Sequence, residues 1–292
     1  MTNTQEKALF KAGVLAEALP WLLKFQNSIV VIKFGGNAMI KKELLNQFAE
    51  DVLFLKLAGL KPVVVHGAGP QITKALDEAG IKSEFINGYR VTDSESIKVI
   101  KKVLIQVQSD LVKAINDLKN CAVGISGDEN RVIEVNKKSL IQDGVEINLG
   151  QVGEITAIDV EKILDSINLG YIPVLSCLGS DSSGLIFNIN ADQGAAAIAK
   201  FLKAQKFVLL TDVIGLLSKY PDESTLIETI TINDLKKLIP SLDKGMRPKM
   251  EACLDAVENG VSRAHIIDGR KSHALLVEVF TDTGTGTMVI KG

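Results

Sequence analysis

Sulfur, aromatic rings and histidine are all scarce in this chain. Its 292 residues include three cysteines and three histidines, and 5% are aromatic. Cys121, Cys177 and Cys253 are far apart and form no CxxC pair. That spacing points to buried thiols in a reducing compartment rather than to a disulfide framework or a zinc site. His66, His265 and His273 also lack ligand spacing, so no protein metal site is expected. So few rings offer little for base stacking. A formal net charge of -2 supplies no general field for nucleic acid. No apolar run is long enough to span a bilayer. Glu6, Lys7, Lys11 and Glu17 interrupt any signal-peptide core. A cytoplasmic chain with neither nucleic acid nor membrane as partner is the expectation. Two nucleotide motifs are missing as well. GxGxxG fails after Gly67 and Gly69, because Ile72 stands where the third glycine belongs, and no GxxxxGK[S/T] occurs anywhere.

What is present is the composition of a globular protein, 46% hydrophobic and 23% charged. The length suits one long domain or two lobes. Residues 3–25 read as a helix with Leu9, Phe10, Val14, Leu15, Leu19, Leu22 and Leu23 at helical intervals, kinked or split at Pro20. It packs either on its own subunit or, as an arm, on another. Buried strands then alternate with amphipathic helices: strands at 28–34, 61–66, 122–127, 171–179, 206–217 and 263–269, helices at 41–58, 70–79, 93–118 and 160–168. Residues 131–158 read as hairpins. The helix 93–118 carries Ile97, Ile100, Leu104, Val107, Leu111, Ala114 or Ile115, and Leu118 on one face. Asp159 reads as the cap of the helix 160–168. The alternation argues an α/β fold, three layers around a largely parallel sheet, with a division near 180–190.

The chain is organised around Asn188-Ile189-Asn190-Ala191-Asp192. Asp192 heads an alanine-rich helix, and Asp is a strong capping residue. A capped, buried helix would explain one Asp alone. Two amides and a carboxylate crowded beside a buried strand read better as a ligand site. Other strand ends supply matching chemistry. Lys33-Phe34-Gly35-Gly36 ends the first strand with a lysine and a glycine pair, and open backbone N–H groups suit phosphate oxygens. His66-Gly67-Ala68-Gly69-Pro70 ends the second, with Pro70 placed to start a helix. Arg90, between a turn glycine and a capping Thr92 or Asp93, is an ordinary surface group unless a carboxylate needs a bidentate grip. Thr211-Asp212 ends a further strand, where open α/β sheets usually carry their sites. Lys249 sits in a first helical turn, against the preference of the helix dipole.

Lys33-Phe34-Gly35-Gly36, His66-Gly67-Ala68-Gly69-Pro70, Gly88-Tyr89-Arg90-Val91-Thr92, Asn188–Asp192 and Gly245-Met246-Arg247-Pro248-Lys249 occur in the order and spacing of the amino acid kinase family. Each piece alone is weak, and the set is specific. From the first strand to the C-terminus the chain resembles the branch that phosphorylates the side-chain carboxylate of N-acetyl-L-glutamate on the route to arginine. Two departures are Ala68, where a third glycine is common, and Cys177-Leu178, where a small residue and a proline are expected.

The resemblance implies the following roles. Lys33, Lys249 and Asp192 are catalytic, with Asp192 orienting the two lysines. Gly67, Ala68, Gly69, Arg90, Asn188 and Asn190 bind the acceptor, Arg90 gripping its α-carboxylate. Gly35, Gly36, Thr211, Asp212 and Gly215 bind nucleotide, and Mg²⁺ enters as Mg-ATP. Residues 1–26 form an oligomerising helical extension, 27–187 a lobe for acceptor binding and dimerisation, and 188–292 an ATP lobe. Arginine-inhibited members carry a similar extension that joins dimers into a ring-like hexamer. For the inhibitor site the resemblance names His265, Glu278, Gly284 and Gly286. Binding of a PII-type signalling protein is left open. Rival acceptors within the family are glutamate, aspartate, carbamate and UMP. Rival classes are an inactive ligand sensor and a nicotinamide-binding protein; the matched charged residues count against the first, the failed GxGxxG and the paired lysines against the second.

Overall fold

The computed structural model describes residues 3–39, 41–142, 144–281 and 284–292. Among them, ten α-helices surround the sheets: α1 (Asn3–Glu17), α2 (Leu19–Phe25), α3 (Lys42–Leu57), α4 (Gly69–Glu78), α5 (Ser96–Leu118), α6 (Val160–Asn168), α7 (Ala191–Phe201), α8 (Ile232–Leu238), α9 (Arg247–Glu258) and α10 (Ala274–Phe280). The main sheet runs, edge to edge, β14 (Thr229–Thr231), β16 (Thr287–Ile290), β15 (Arg263–Asp268), β13 (Lys206–Thr211), β1 (Ile29–Phe34), β2 (Lys61–His66), β10 (Ile172–Ser176) and β5 (Ala122–Ser126). Its neighbours pair in parallel except β15 with β16. A smaller sheet of β12 (Ile186–Asn188), β11 (Leu178–Ser180), β6 (Ile133–Lys137) and β9 (Gly153–Ile158) stands beside it. Two hairpins complete the set, β3 (Phe85–Ile86) with β4 (Tyr89–Arg90), and β7 (Leu140–Gln142) with β8 (Val145–Ile147).

The central strands are buried on both faces, as parallel strands between helix layers must be. Alternate residues therefore feed two cores. Val30, Ile32, Phe34 and Val64 join one core with Ile100, Leu104 and Leu111 of α5. Val31, Val63 and Val65 join the other with the alanines of α7. Ala195, Ala196, Ala197 and Ala199 are all buried, and their small side chains let α7 lie close against the sheet. The carboxyl ends of β1 and β2 are thereby fixed side by side, with Phe34 opposite His66.

Several local expectations change. Asp159 makes no capping bond to α6 and instead pairs with Lys162 at 2.9 Å. The apolar run 171–179 splits at Cys177 into β10 and β11, which belong to different sheets. The run 206–217 stops being strand at Thr211. On α5, Ile115 rather than Ala114 turns fully inward, and Leu118 is 49% exposed because the helix ends there. Pro20 lies in the first turn of α2, where its missing N–H costs nothing, so the N-terminal segment is two helices. Its apolar stripe is not buried on its own chain: Phe10 is 74% exposed and Leu15 and Leu23 are each 67% exposed. Met1 and Thr2 lie outside the described residues.

Candidate active site

β1 delivers Lys33 to the carboxyl edge of the sheet, 8% exposed. Two residues on, Gly35 leaves room for that side chain: a Cβ there would sit 2.8 Å from Lys33 Nζ. Gly36 has φ +72°, a left-handed backbone that glycine adopts without strain. At the end of β2, a Cβ on Gly67 would meet Ala191 Cβ at 3.2 Å, so this glycine lets the start of α7 approach.

α7 places the central carboxylate. Asp192 was expected to cap this helix, but Asn190 does: its Oδ1 accepts from Asp192 N at 2.9 Å and Gln193 N at 3.2 Å. Asp192 thus stands one position inside the helix with its carboxylate free for other partners. Lys33 Nζ lies 2.9 Å from Oδ1, and Lys249 Nζ donates to Oδ2 at 2.9 Å. Lys249 comes from the first turn of α9. Burial works against the charge on Asp192, yet the two ammonium groups outweigh it and hold the carboxyl well below the usual carboxylate range. Burial likewise opposes the Lys249 charge, and Asp192 more than compensates, raising that lysine. Two positive charges are therefore held together at one strand edge by a single negative one.

Lys33 and Asp192 border a cavity of about 430 Å³; Lys249 stands behind Asp192 and does not line it. Gly67–Gly69, Asn188, Asn190 and Arg90 line it with them. Arg90 is 6% exposed, on the short hairpin β3–β4. Its Nη2 donates to Thr73 Oγ1 at 2.8 Å and Gly69 O at 3.1 Å, and its Nη1 donates to Ser83 Oγ. The guanidinium lies 4.4 Å from the Phe85 ring centroid. Neutral oxygens and one aromatic face thus orient a cation at the cavity wall. Burial lowers its pKa, but a guanidinium stays charged in any case. Cys177 also lines the cavity, and burial pushes its thiol up to about 12, so it acts as a small apolar wall. A Cβ on Gly194 would lie 2.9 Å from its Sγ, so the thiol at 177 and the glycine at 194 fit as a pair.

Not every expected residue borders the cavity. Thr211, at the end of β13, donates to Asp212 Oδ1 at 3.3 Å, beyond Lys33 along the sheet edge. A Cβ on Gly215, with φ +147°, would meet both Leu226 Cδ1 and Thr287 Oγ1 at 2.7 Å. Glycine is required there by packing. Gly35 makes room for Lys33 without lining the cavity itself.

A profile of the amino acid kinase family matches residues 28–268. A curated acetylglutamate kinase of Salinispora tropica is 49% identical over 283 residues, spanning 97% of this chain and 96% of the relative. This chain belongs to the amino acid kinase family. Solved structures of an N-acetylglutamate synthase from Neisseria gonorrhoeae agree with it at 26% identity, one complexed with coenzyme A and N-acetyl-glutamate at TM-score 0.86, the other with coenzyme A and L-arginine at 0.84. Both cover 96% of this chain, which spans 63% and 65% of the respective synthase chains. The parallel sheet and its covering helices are the amino acid kinase fold.

This amino acid kinase has a second buried ion cluster, well away from the cavity in sequence and along the sheet. His265 Nδ1 and Glu278 Oε1 are 2.6 Å apart, and Thr285 N donates to Glu278 Oε2 at 3.0 Å. A Cβ on Gly284 would lie 2.9 Å from Glu278 Oε1, and one on Gly286 would lie 1.9 Å from Ile266 O. The four residues named by resemblance thus converge. Lys206, which the sequence reading missed, donates to Glu278 O at 3.2 Å and lies 4.6 Å from the Phe25 ring of α2. Burial lowers its pKa to about 8. Thr73 and Ser83, which hold Arg90, were missed too: single hydroxyls in a helix and a loop carry no pattern.

Proposed function

We propose that this chain moves the γ-phosphoryl group of ATP to the side-chain carboxylate of N-acetyl-L-glutamate, giving N-acetyl-L-glutamyl 5-phosphate and ADP. The observation that carries this reading is Asp192, paired with Lys33 and Lys249, on a cavity that Lys33, Asp192 and Arg90 line together. An acceptor with two carboxylates fits between them. Its α-carboxylate meets the Arg90 guanidinium, through the N–H groups that Thr73, Gly69 and Ser83 leave free. Its side-chain carboxylate lies toward Lys33. Asn188 and Asn190 present amides to the acetamido group; Asn190 spends its oxygen on α7, leaving its NH₂ to donate. The name of the Salinispora relative supports the same acceptor.

The carboxylate oxygen forms the new P–O bond, the bond to the β-phosphate oxygen breaks, and the electron pair leaves with ADP. No proton has to be removed, because the nucleophile is already an anion. The chain's contribution is positioning and charge stabilisation. Lys33 and Lys249 stabilise the transferring group, and Asp192 holds both at fixed separation while preventing their mutual repulsion. The nucleotide lies on the side of Gly35, Gly36, Thr211, Asp212 and Gly215. Among the described residues no group of three or more His, Cys, Asp or Glu side chains is arranged for a metal ion. Mg²⁺ is proposed to arrive on ATP, whose phosphate oxygens suit a hard cation and whose charge it offsets.

Regulation by L-arginine is the finer part of the reading. It is proposed to act at His265, Glu278, Gly284 and Gly286, beneath α2. Support comes from the Lys206 link to Phe25, and from the synthase complexed with L-arginine. The exposed stripe of α1 and α2 is proposed to join dimers into a hexamer; burying each large side chain contributes roughly 1.5–3 kcal/mol. The lobes at 27–187 and 188–292 and a cytoplasmic setting complete the proposal, the latter on three buried, unpaired thiols. Among the described residues no helix is long and apolar enough to cross a membrane.

ADP release from Mg-ATP, measured with N-acetyl-L-glutamate, glutamate, aspartate and N-acetylaspartate, tests the acceptor. Turnover restricted to N-acetyl-L-glutamate supports the reading, and equal turnover with glutamate overturns it. Deleting residues 1–25 should leave dimers that respond less to arginine; a truncated chain that is still hexameric by light scattering refutes the role of the extension.

A further inference from the structure

The hairpin that carries Arg90 does more than present a guanidinium. Asn87 and Gly88 both have positive φ, +49° and +83°, so β3 and β4 are joined by a tight turn that holds a fixed shape. Gly88 and Tyr89 line the cavity. A Cβ on Gly88 would lie 3.3 Å from Pro248 Cγ, next to Lys249. Tyr89 Oη accepts from Gln193 Nε2 at 2.5 Å, next to Asp192. The hairpin is therefore hydrogen-bonded to α7 beside Asp192, and its Gly88 faces Pro248 of α9 beside Lys249.

The Tyr89 ring is itself held. Lys138 Nζ lies 5.0 Å from its centroid and pairs with Glu154 at 3.1 Å. These residues come from the loop after β6 and from β9 of the smaller sheet. The phenol is thus fixed from behind by a cation and in front by an amide.

We infer that Tyr89 and Gln193 are positioning residues that clamp the acceptor-binding hairpin to the start of α7, setting the distance between Arg90 and the Asp192 centre. This rests on the proposed function. An acceptor gripped at its α-carboxylate by Arg90 reaches Lys33 only if that spacing holds. A displacement of about 1 Å is enough to misalign an attacking oxygen. Neither residue bears a charge, and neither is in the phosphoryl-binding set, so the clamp acts on acceptor binding rather than on the nucleotide.

The test compares the full-length chain with Tyr89→Phe, Gln193→Ala and the double variant. The readouts are calorimetric Kd for N-acetyl-L-glutamate, KM for each substrate, and thermal midpoint. Tyr89→Phe keeps the ring and removes only the acceptor oxygen. Each single variant is expected to weaken N-acetyl-L-glutamate about fivefold, within the range one neutral hydrogen bond commands. The double variant should be no weaker than Tyr89→Phe, which already lacks the bond that Gln193→Ala removes. KM for ATP and the thermal midpoint should stay unchanged, which a merely structural role would not produce. Wild-type affinity in Tyr89→Phe, or additive losses in the double variant, overturns the clamp. A wild-type chain that binds no N-acetyl-L-glutamate overturns the functional reading and the clamp with it. Wild-type binding with unaffected variants removes the clamp alone.

Discussion

Asp192 and Glu278 are both buried carboxylates set among basic groups, 7% and 6% exposed, and they differ in what those basic groups are left to do. Around Asp192, Lys33 and Lys249 each use one contact on the carboxylate, and the cluster opens on a cavity of about 430 Å³. Around Glu278, His265 takes one oxygen, a backbone N–H takes the other, and Gly284 is packed against them. Burial therefore does not distinguish the two clusters. Open volume beside Lys33 and Asp192 does. The first centre can receive a ligand as it stands. At Glu278, the place proposed for arginine, Gly284 and Thr285 stand against the carboxylate.

The contrast sharpens or breaks under substitution. Asp192→Asn takes the counter-charge from buried Lys33 and the closest one from partly buried Lys249, and losing one side of a buried ion cluster costs about 3–5 kcal/mol. Denaturant unfolding should show that loss at neutral pH. Because the Asp192 pKa is depressed, its stabilisation is present above the ordinary value of 3.8 and is lost as pH falls below it. The gap between wild type and Asp192→Asn should therefore narrow on acidification from pH 4 downward. A gap constant with pH contradicts the charge account.

Lys33→Ala should lower kcat by at least ~100-fold, the usual scale for one electrostatic donor. Lys206→Ala, by contrast, should leave kcat near normal and weaken the response to arginine. Equal losses of kcat in both would erase the distinction between the clusters. Glu278→Gln, a substitution that keeps the shape, should cost about 1–3 kcal/mol of stability through its broken buried hydrogen bonds. It should do so with catalysis retained.

The smallest effect concerns a third pair. His273 Nδ1 lies 2.6 Å from Asp51 Oδ1, linking the start of α10 to α3. That contact raises the His273 pKa above its ordinary value of 6.5. The stabilisation is accordingly full below 6.5 and lost as pH rises through the raised value. Half of the imidazole is exposed, so screening limits the effect to about 0.5 kcal/mol. His273→Gln should abolish that part of the pH dependence while leaving the active site intact.

The sequence made some of this legible and hid the rest for identifiable reasons. Continuous apolar runs ending in glycine revealed β1 and β2, because strands buried on both faces admit few other residues. They also overran: nothing in 171–179 marks Cys177 as the point where the chain changes sheets, since both halves are equally buried. Asp192 looked like a helix cap because Asp and Asn share that preference, and only the register of α7 decides which of Asn190 and Asp192 fills it. Arg90 stood out by its turn glycine, whereas Ser83 and Thr73, which aim it, are ordinary hydroxyls. Lys206 begins a buried strand, where a lysine reads as a strand edge until Phe25 and Glu278 are seen beside it. Contacts between residues far apart in sequence carry no local signal.

The most direct test of the central claim is trapping of the acyl phosphate with hydroxylamine, run on wild type and Lys33→Ala side by side with Mg-ATP and each acceptor. Hydroxamate formed from N-acetyl-L-glutamate alone, and reduced at least ~100-fold in the variant, is the predicted result. Hydroxamate formed equally from glutamate, or undiminished without Lys33, would contradict the assignment of the cavity and the two lysines paired with Asp192 to this reaction.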